Sequence, residues 1–202
     1  MNKLKAFAFA CLIAALSAVS ACDGNEAPPA LSSADAQSEE SEIVLESIES
    51  SYAYIDTNSF EEKENGLYTS EGFSVVLPDN YIRQENERFA LYAVEKDKSV
   101  IVLLAESFYD VLSAGMDANM PASEYAKLVI EADDGVQATV LDKGGNAYFE
   151  YVKEMDGEQY RYFVYAYRGS GAYYLLQFCC NDIEADFYRE AFEQIEKSVE
   201  IK

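Results

Sequence analysis

Three runs rich in aromatic and aliphatic residues lie between Ala147 and Asn181 and dominate the hydrophobic pattern of the chain. The turn signals Asp156-Gly157 and Gly169-Ser170-Gly171 separate them, as in antiparallel strands joined by short loops. In the middle run, residues of both parities are largely apolar. Strands that are covered on both faces have this composition. The pattern therefore predicts a three-stranded meander at the centre of a sheet.

The rest of the C-terminal two thirds alternates shorter apolar runs with Gly, Pro and Asp turns. It predicts a hairpin, two further strands, an irregular connection, a helix and one short strand before the meander. In chain order these are Leu67–Leu77, Phe89–Glu95, Val100–Glu106, Phe108–Met120, a helix from Pro121, and Ala138–Leu141.

The last element is predicted to be an amphipathic helix that packs back onto the sheet. Asn181 is placed to cap it, with Glu184 three residues later as in a capping box. Its apolar residues recur at steps of three and four, which predicts a single buried stripe. The predicted fold is α+β, a layered domain with a mostly antiparallel sheet flanked by helices. The predicted stripe consists of Ile183, Phe187, Ala191, Phe192, Ile195 and Val199.

The N-terminus combines a basic head, an apolar core of about 13 residues and the sequence Val19-Ser20-Ala21-Cys22. That order resembles the lipobox of bacterial lipoproteins, in which the Cys receives a lipid and becomes the first residue. The resemblance implies a signal peptide at 1–21, cleavage between Ala21 and Cys22, and lipid attachment at Cys22. The core is too short to span a bilayer. Ordinary secretion with cleavage at the same bond is the alternative.

The next segment, residues 22–42, is predicted to be a disordered acidic tether, because Pro, Ser, Ala and acids occur there without apolar periodicity. Residues 43–64 contain a possible short helix and a connection. Val44, Ile48, Tyr52 and Ile55 repeat there at helical spacing, which suggests a helix that docks on the domain or binds a partner. The folded domain is predicted at 65–202.

Charge and composition exclude several classes of function. The chain of 202 residues has 37 acids, 15 bases and a formal net charge of −22, so a nucleic-acid partner is not expected. It contains no His, which removes imidazole metal ligands and Ser-His or Cys-His catalytic pairs. Neighbouring carboxylates are inevitable in so acidic a chain. We therefore predict no catalytic residues, no cofactor and no enzymatic activity.

The remaining candidate sites have plain structural interpretations. Asp133-Asp134-Gly135 and Asp156-Gly157-Glu158 are the best local clusters for calcium, but Asp-Gly pairs are also common in turns. Cys179 and Cys180 are interpreted as small apolar residues pointing to opposite faces of a strand, with a redox switch as the alternative. The 16 tyrosines are interpreted as strand residues, with an aromatic ligand site as the alternative.

Two segments resemble the PsbP-like domains. One is the opening Phe73-Ser-Val-Val-Leu-Pro78-Asp-Asn-Tyr81, and the other is Tyr174-Leu-Leu-Gln-Phe178 with the helix that follows. The resemblance spans about 67–202 and implies an α/β/α sandwich. Members of that family bind other macromolecules and share no common active site, so no functional residue is carried over.

These observations predict an extracytoplasmic protein anchored to a bacterial membrane through its N-terminal lipid. Its domain is expected to be a protein-binding or accessory module of the cell envelope, with a protein partner and no catalytic role. The alternative is a receptor-type lipoprotein whose domain binds a sugar or calcium.

Overall fold

A seven-stranded antiparallel sheet forms the middle layer of the protein. The computed structural model describes residues 60–86, 89–96, 98–133 and 136–202. The strand order is β4-β5-β6-β10-β9-β8-β7, and every neighbouring pair is antiparallel. The strands are β4 (Ile82–Arg83), β5 (Leu91–Glu95), β6 (Ser99–Ser107), β7 (Leu141–Lys143), β8 (Asn146–Met155), β9 (Glu158–Arg168) and β10 (Ala172–Asn181).

The predicted meander is confirmed. It consists of β8, β9 and β10, which are neighbours in the sheet. The turn between β8 and β9 places Asp156 at φ 52° and Gly157 at φ 83°. Two successive positive φ angles are the requirement of the tight hairpin turn that Asp-Gly favours.

A second, smaller sheet and three helices complete the part of the chain that the structure describes. The small sheet has the order β1-β2-β3-β11 and contains the predicted hairpin as β2 and β3. Its strands are β1 (Glu61–Glu62), β2 (Leu67–Thr69), β3 (Phe73–Val76) and β11 (Glu200–Ile201). The helices are α1 (Phe108–Ser113), α2 (Ala122–Ala132) and α3 (Ala185–Glu196), and short 3₁₀ turns occupy Glu64–Gly66 and Asp182–Glu184.

Each face of the large sheet is covered by its own hydrophobic core. The first core joins one face to α1 and α2, and the second joins the other face to α3 and the small sheet. Strand β10 shows the alternation, since Tyr173 and Leu175 enter the first core while Tyr174 and Leu176 enter the second. The predicted α+β fold with an antiparallel sheet between helical layers is confirmed.

Two sequence predictions for the connections are wrong. Phe108–Met120 begins with helix α1, whose first turn is capped because the Ser107 hydroxyl accepts a hydrogen bond of 3.1 Å from the Asp110 amide. The short strand predicted at Ala138–Leu141 lies later, as β7, where it pairs with the start of β8. Both errors concern elements of six residues or fewer, in which a hydrophobic pattern hardly repeats.

The buried side of α3 also differs from the prediction. Ala185, Tyr188, Phe192 and Ile195 are its buried residues, whereas Ile183, Phe187 and Ala191 are exposed. At 3.6 residues per turn, the predicted stripe and the buried residues together span an arc of about 200°. One sheet contact covers only part of such an arc, so one flank of it faces outward.

Candidate protein-binding face

An apolar surface lies at the start of α3. Ile183 is 93% exposed and Phe187 is 80% exposed, the largest values among the exposed large hydrophobic residues that the structure describes. They are four residues apart and therefore neighbours on the helix surface, and exposed Ala191 follows after another four. Ile183, Phe187 and Ala191 are called the Phe187 face below. Ile183 and Phe187 together present on the order of 300 Å² of side-chain surface, a size that is often functional on a monomer.

Aromatic packing on the opposite side of the helix determines this orientation. The Phe192 ring is fully buried and stacks on Phe178 of β10 with centroids 4.7 Å apart. It also contacts Phe163 of β9 at 5.4 Å and Tyr188 at 5.4 Å. Rotating Phe187 inward would remove Phe192 from this cluster. The Phe187 face therefore points outward because a larger aromatic contact is made on the other flank.

A double ion pair fixes α3 to the far part of the sheet. Both terminal guanidinium nitrogens of Arg189, Nη1 and Nη2, donate to the Glu150 carboxylate of β8, Nη2 over 3.1 Å. Arg161 of β9 donates to the same carboxylate over 3.4 Å. Burial alone would raise the pKa of Glu150, but hydrogen bonds from Arg189 and Tyr148 hold it below its ordinary value. The carboxylate is therefore ionised wherever the fold is stable near neutral pH.

The Arg189→Met variant should lose about 1 kcal/mol of unfolding free energy at pH 7, because the paired side chains are 37% and 22% exposed and solvent screens them. Since the pKa of Glu150 is lowered in the folded state, its stabilising contribution is present above the unfolded value and fades as pH falls through the folded value. Urea unfolding should show that the loss of unfolding free energy caused by Arg189→Met is smaller at about pH 3 than at pH 7.

Arg168→Met is the matched control for this pH dependence. Arg168 donates to the backbone carbonyl of Ala118 over 3.2 Å and lies over the Phe108 ring at 4.8 Å. A carbonyl does not titrate, so the cost of this variant should change little between the two pH values. An Arg189→Met cost that stayed constant with pH would contradict the role assigned to Glu150.

A hydroxyl network fixes the first turn of α3 to the near part of the sheet. Ser99 donates to Glu95 over 3.0 Å, so the Tyr81 hydroxyl must donate to Ser99 in their 2.6 Å contact. Tyr188 bonds to the same Glu95, and burial together with this contact raises the pKa of Tyr188 to about 12. Tyr188 therefore stays protonated and holds α3 beside the β5–β6 turn.

The turn before α3 places Ile183. The Asn181 side chain accepts a hydrogen bond of 3.1 Å from the Ile183 amide, which confirms Asn181 as a cap, here of the 3₁₀ turn. Asp182 in that turn accepts from the Arg161 Nε over 2.7 Å. These two contacts hold the backbone at Ile183 and just before it, and the side chain of Ile183 points to solvent.

The surroundings of the Phe187 face are acidic. Residues 182–196 contain six acids and one base, a net charge of −5, and the one base is Arg189. Glu184 and Glu190, three residues before and after Phe187, are both exposed neighbours of its ring on the helix surface. The face is therefore an apolar centre with a negative rim.

No protein-family model matches the chain, and no curated protein matches it in sequence. Solved structures that resemble it include a protein from Bacteroides thetaiotaomicron with 14% identity and a TM-score of 0.45, which covers 64% of this chain. The chain spans 45% of the length of that protein.

The match with two further similar structures covers most of the length of each of those proteins. One is the cyanobacterial PsbP of Synechocystis, with 12% identity, a TM-score of 0.42, and 71% of this chain and 92% of that chain covered. The other is LpqN, described as involved in cell envelope biogenesis of Mycobacterium tuberculosis, with 12% identity, a TM-score of 0.47, and coverage of 71% and 90%. A PsbP is thus among the similar structures, as the sequence resemblance led us to expect.

The predicted calcium clusters are in separate places. Asp133 is buried at the end of α2 and accepts from Lys153 over 3.0 Å, while Asp134 and Gly135 lie outside the described residues. Asp156 and Gly157 form the β8–β9 turn, with Glu158 opening β9. Within the described ranges, no three acidic or Cys side chains converge in a group that could hold a metal ion.

The two strand cysteines are buried free thiols on opposite faces of β10, Cys179 in the first core and Cys180 in the second. Burial raises the pKa of each thiol to about 12. Thiolate, the reactive form, is therefore scarce at neutral pH. This environment favours the interpretation of Cys179 and Cys180 as small apolar residues.

An open cleft of about 630 Å³ lies beside β4 and β5. Its wall consists mainly of polar side chains that include Arg83, Gln84 and Glu85. Phe89 and Tyr92 also border it, but their rings stack with centroids 6.0 Å apart and are buried in the first core. The cleft therefore offers mainly polar side chains to a ligand, which are groups that could hydrogen-bond a sugar.

The remaining site predictions fall outside the described residues. These are Ala21, Cys22, the tether at 22–42 and the stripe from Val44 to Ile55. In the described part of the chain, no helix has the length and apolar character needed to cross a membrane.

Sequence reasoning identified Ile183 and Phe187 as apolar helix residues but assigned them to the core. The width of the apolar arc is a signal that one flank faces outward, but it does not say which flank. Ile183, Phe187 and Ala191 form one flank, and Tyr188, Phe192 and Ile195 form the other. The predicted stripe does not include Tyr188, which makes the contact to Glu95.

Proposed function

We propose that this protein is a non-catalytic lipoprotein of the cell envelope whose α+β domain binds a partner protein through the Phe187 face. The observation that carries the proposal is the exposure of Phe187 on α3 and of Ile183 in the turn before it, while the other flank of α3 is packed on the sheet. The predicted signal peptide at 1–21, followed directly by Cys22, supports location outside the cytoplasm and lipid anchoring.

Binding is the function that such a surface supports. Burial of the exposed Phe and Ile side chains by a partner is favourable by about 25 cal/mol per Å² of apolar surface removed from water. The proposal includes no catalytic step and no cofactor, because the titratable groups near the face serve to hold α3 in place. Glu150 is paired with Arg189, and Glu95 is bonded to Ser99.

Site-specific photocrosslinking in intact cells tests this proposal. A photoreactive residue in place of Phe187 in the full chain should give a discrete crosslinked species of higher mass. The same residue at Lys127, an exposed position on α2 in the opposite layer, should give none. Adding Cys22→Ser to the chain that carries the photoreactive residue at position 187 should abolish the product, because the protein loses its attachment to the membrane.

Two results would overturn the proposal. Equal crosslinking from Phe187 and Lys127 would show that the α3 surface is not selective. A crosslinked product that persists at full yield with Cys22→Ser would contradict the proposed role of lipid attachment at Cys22.

The cleft beside β4 and β5 favours a second candidate, the binding of a small ligand such as a sugar. A ligand at 100 times its Kd should add about 2.7 kcal/mol to the unfolding free energy. Thermal unfolding of the full chain with a panel of sugars and with millimolar calcium should then show a rise for one of them. The rise should disappear in Gln84→Ala, and no rise with any of them would reject this candidate.

A further inference from the structure

The acidic rim of the Phe187 face indicates the charge of the partner that the face binds. Asp182, Glu184 and Asp186 lie at the N-terminal end of α3, where negative charge stabilises the helix dipole. That explanation does not extend to the acids in the second half. Glu190 and Glu193 approach the end where the dipole favours positive charge, and the last turn of α3 has no basic residue. The rim is therefore more acidic than the helix itself requires.

The one base on the helix does not offset this charge at the face. Arg189 donates to Glu150 on the sheet side of α3 and lies over the Phe163 ring at 4.8 Å. Its charge is directed away from Phe187 and is compensated by Glu150. Phe187 is left with Glu184 and Glu190 as its exposed charged neighbours on the helix surface.

Charge complementarity decides between the possible occupants of this face. The apolar stripe from Val44 to Ile55 belongs to a segment, residues 43–59, with three acids and no base, so it would meet the rim with like charge. A second copy of the chain brings a net charge of −22 and the same acidic face. Like charges across an interface are repelled, which disfavours both occupants.

We propose that the Phe187 face binds a basic amphipathic segment of a partner protein, with an apolar side chain on Phe187 and Ile183 and Lys or Arg on Glu184 and Glu190. This inference rests on the proposed function and specifies the chemistry of the partner. Recognition of an amphipathic helix by an apolar surface with a charged rim is a recurrent mode of binding. The opposite charges raise the association rate and reject acidic competitors.

Model peptides test the proposal without knowledge of the natural partner. The probes are an amphipathic Leu/Lys helix of about 18 residues, long enough for five turns, a Leu/Glu helix of the same pattern, and a scrambled Leu/Lys peptide. The receptor is the full-length protein, purified from membranes with Cys22 intact and placed in neutral phosphatidylcholine nanodiscs, and binding to empty nanodiscs is subtracted. Fluorescence anisotropy at low and high salt should show that only the amphipathic Leu/Lys helix binds, and that salt weakens it.

Matched variants separate the face from the overall charge. Phe187→Ala should weaken binding about tenfold or more, because it removes the central contact. The double variant Glu184→Gln/Glu190→Gln should weaken it about fivefold and flatten the salt dependence. Glu124→Gln/Glu131→Gln changes the net charge equally on α2 in the other layer, and should change binding less than about twofold.

Equal losses in the two double variants, or equal binding of the scrambled peptide, would overturn the inference, because attraction to net charge would then explain the result. Binding of the Leu/Glu helix, or of none of the peptides, would also overturn it. These failures are distinguishable from failure of the proposed function. A specific crosslink at Phe187 without peptide binding would mean that the face binds a partner of different chemistry. Absence of the crosslink would contradict both the proposed function and the present inference.

Discussion

Phe192→Ala should lower the unfolding free energy by about 3–5 kcal/mol, whereas Phe187→Ala should change it by less than about 0.5 kcal/mol. The two residues have the same side chain and lie on the same helix. Phe192 is fully buried against Phe163, Phe178 and Tyr188, so its removal leaves a cavity. Phe187 is 80% exposed and leaves none. Urea unfolding of the two variants, followed by circular dichroism, measures the difference.

A milder substitution keeps this comparison informative if Phe192→Ala does not fold. Phe192→Leu retains most of the side-chain volume and should cost about 1–2 kcal/mol, again with Phe187→Leu near zero. Similar costs at the two positions would show that α3 is rotated relative to this description. The Phe187 face would then be part of the core.

Gly66→Ala should cost about 2–4 kcal/mol, and Gly144→Ala about 1 kcal/mol. The two glycines have nearly the same φ, +70° and +68°. A Cβ on Gly66 would lie 2.2 Å from the Leu77 carbonyl oxygen, whereas a Cβ on Gly144 would have nothing within 4 Å. The loss of unfolding free energy in Gly144→Ala measures backbone strain alone. The additional loss in Gly66→Ala measures the clash of the new Cβ with the Leu77 carbonyl oxygen.

The same urea series checks this second prediction. Leu77 is buried and its amide donates to the Gly66 carbonyl over 2.9 Å, so the clash would push apart the two ends of the β2–β3 hairpin. Equal costs for Gly66→Ala and Gly144→Ala would contradict the packing of the small sheet described here.

The sequence was sufficient for the elements whose signals are local and strong. The meander is marked by continuous Tyr, Phe and Val runs and by the Asp-Gly turn at Asp156 and Gly157. Helix α2 follows Pro121 and carries a clear apolar side. In both cases the periodicity, the turn residues and the intrinsic preferences agree, which is the condition for a reliable prediction.

Elements stabilised by tertiary pairing could not be found in the same way. Strands β4 and β11 have two residues each, too few for a period, and exist because they pair with β5 and β3. Helix α1 has a weak local signal, Ser107 followed by Asp110 three residues later, which the cap uses. These short segments acquire their structure from the surfaces on which they lie.

Only part of the candidate site could be predicted from the sequence. Ile183 and Phe187 were recognised as apolar positions of the last helix, but the choice of the buried flank depends on partners far along the chain. Arg189 meets Glu150, 39 residues earlier, and Tyr188 meets Glu95 on another strand. Such contacts leave no trace in the spacing of residues within the helix, so the outward flank is visible only in three dimensions.

Thiol accessibility at position 187 tests most directly whether the Phe187 face is open in the free protein and covered in the envelope. Phe187→Cys and, as control, Lys127→Cys are compared in the purified full chain and in intact envelopes with a membrane-impermeant maleimide. Buried Cys179 and Cys180 should react slowly because burial raises each thiol pKa to about 12. We predict rapid labelling of both variants when purified, and protection of position 187 alone in the envelope. Equal labelling of position 187 in the two states would contradict the account.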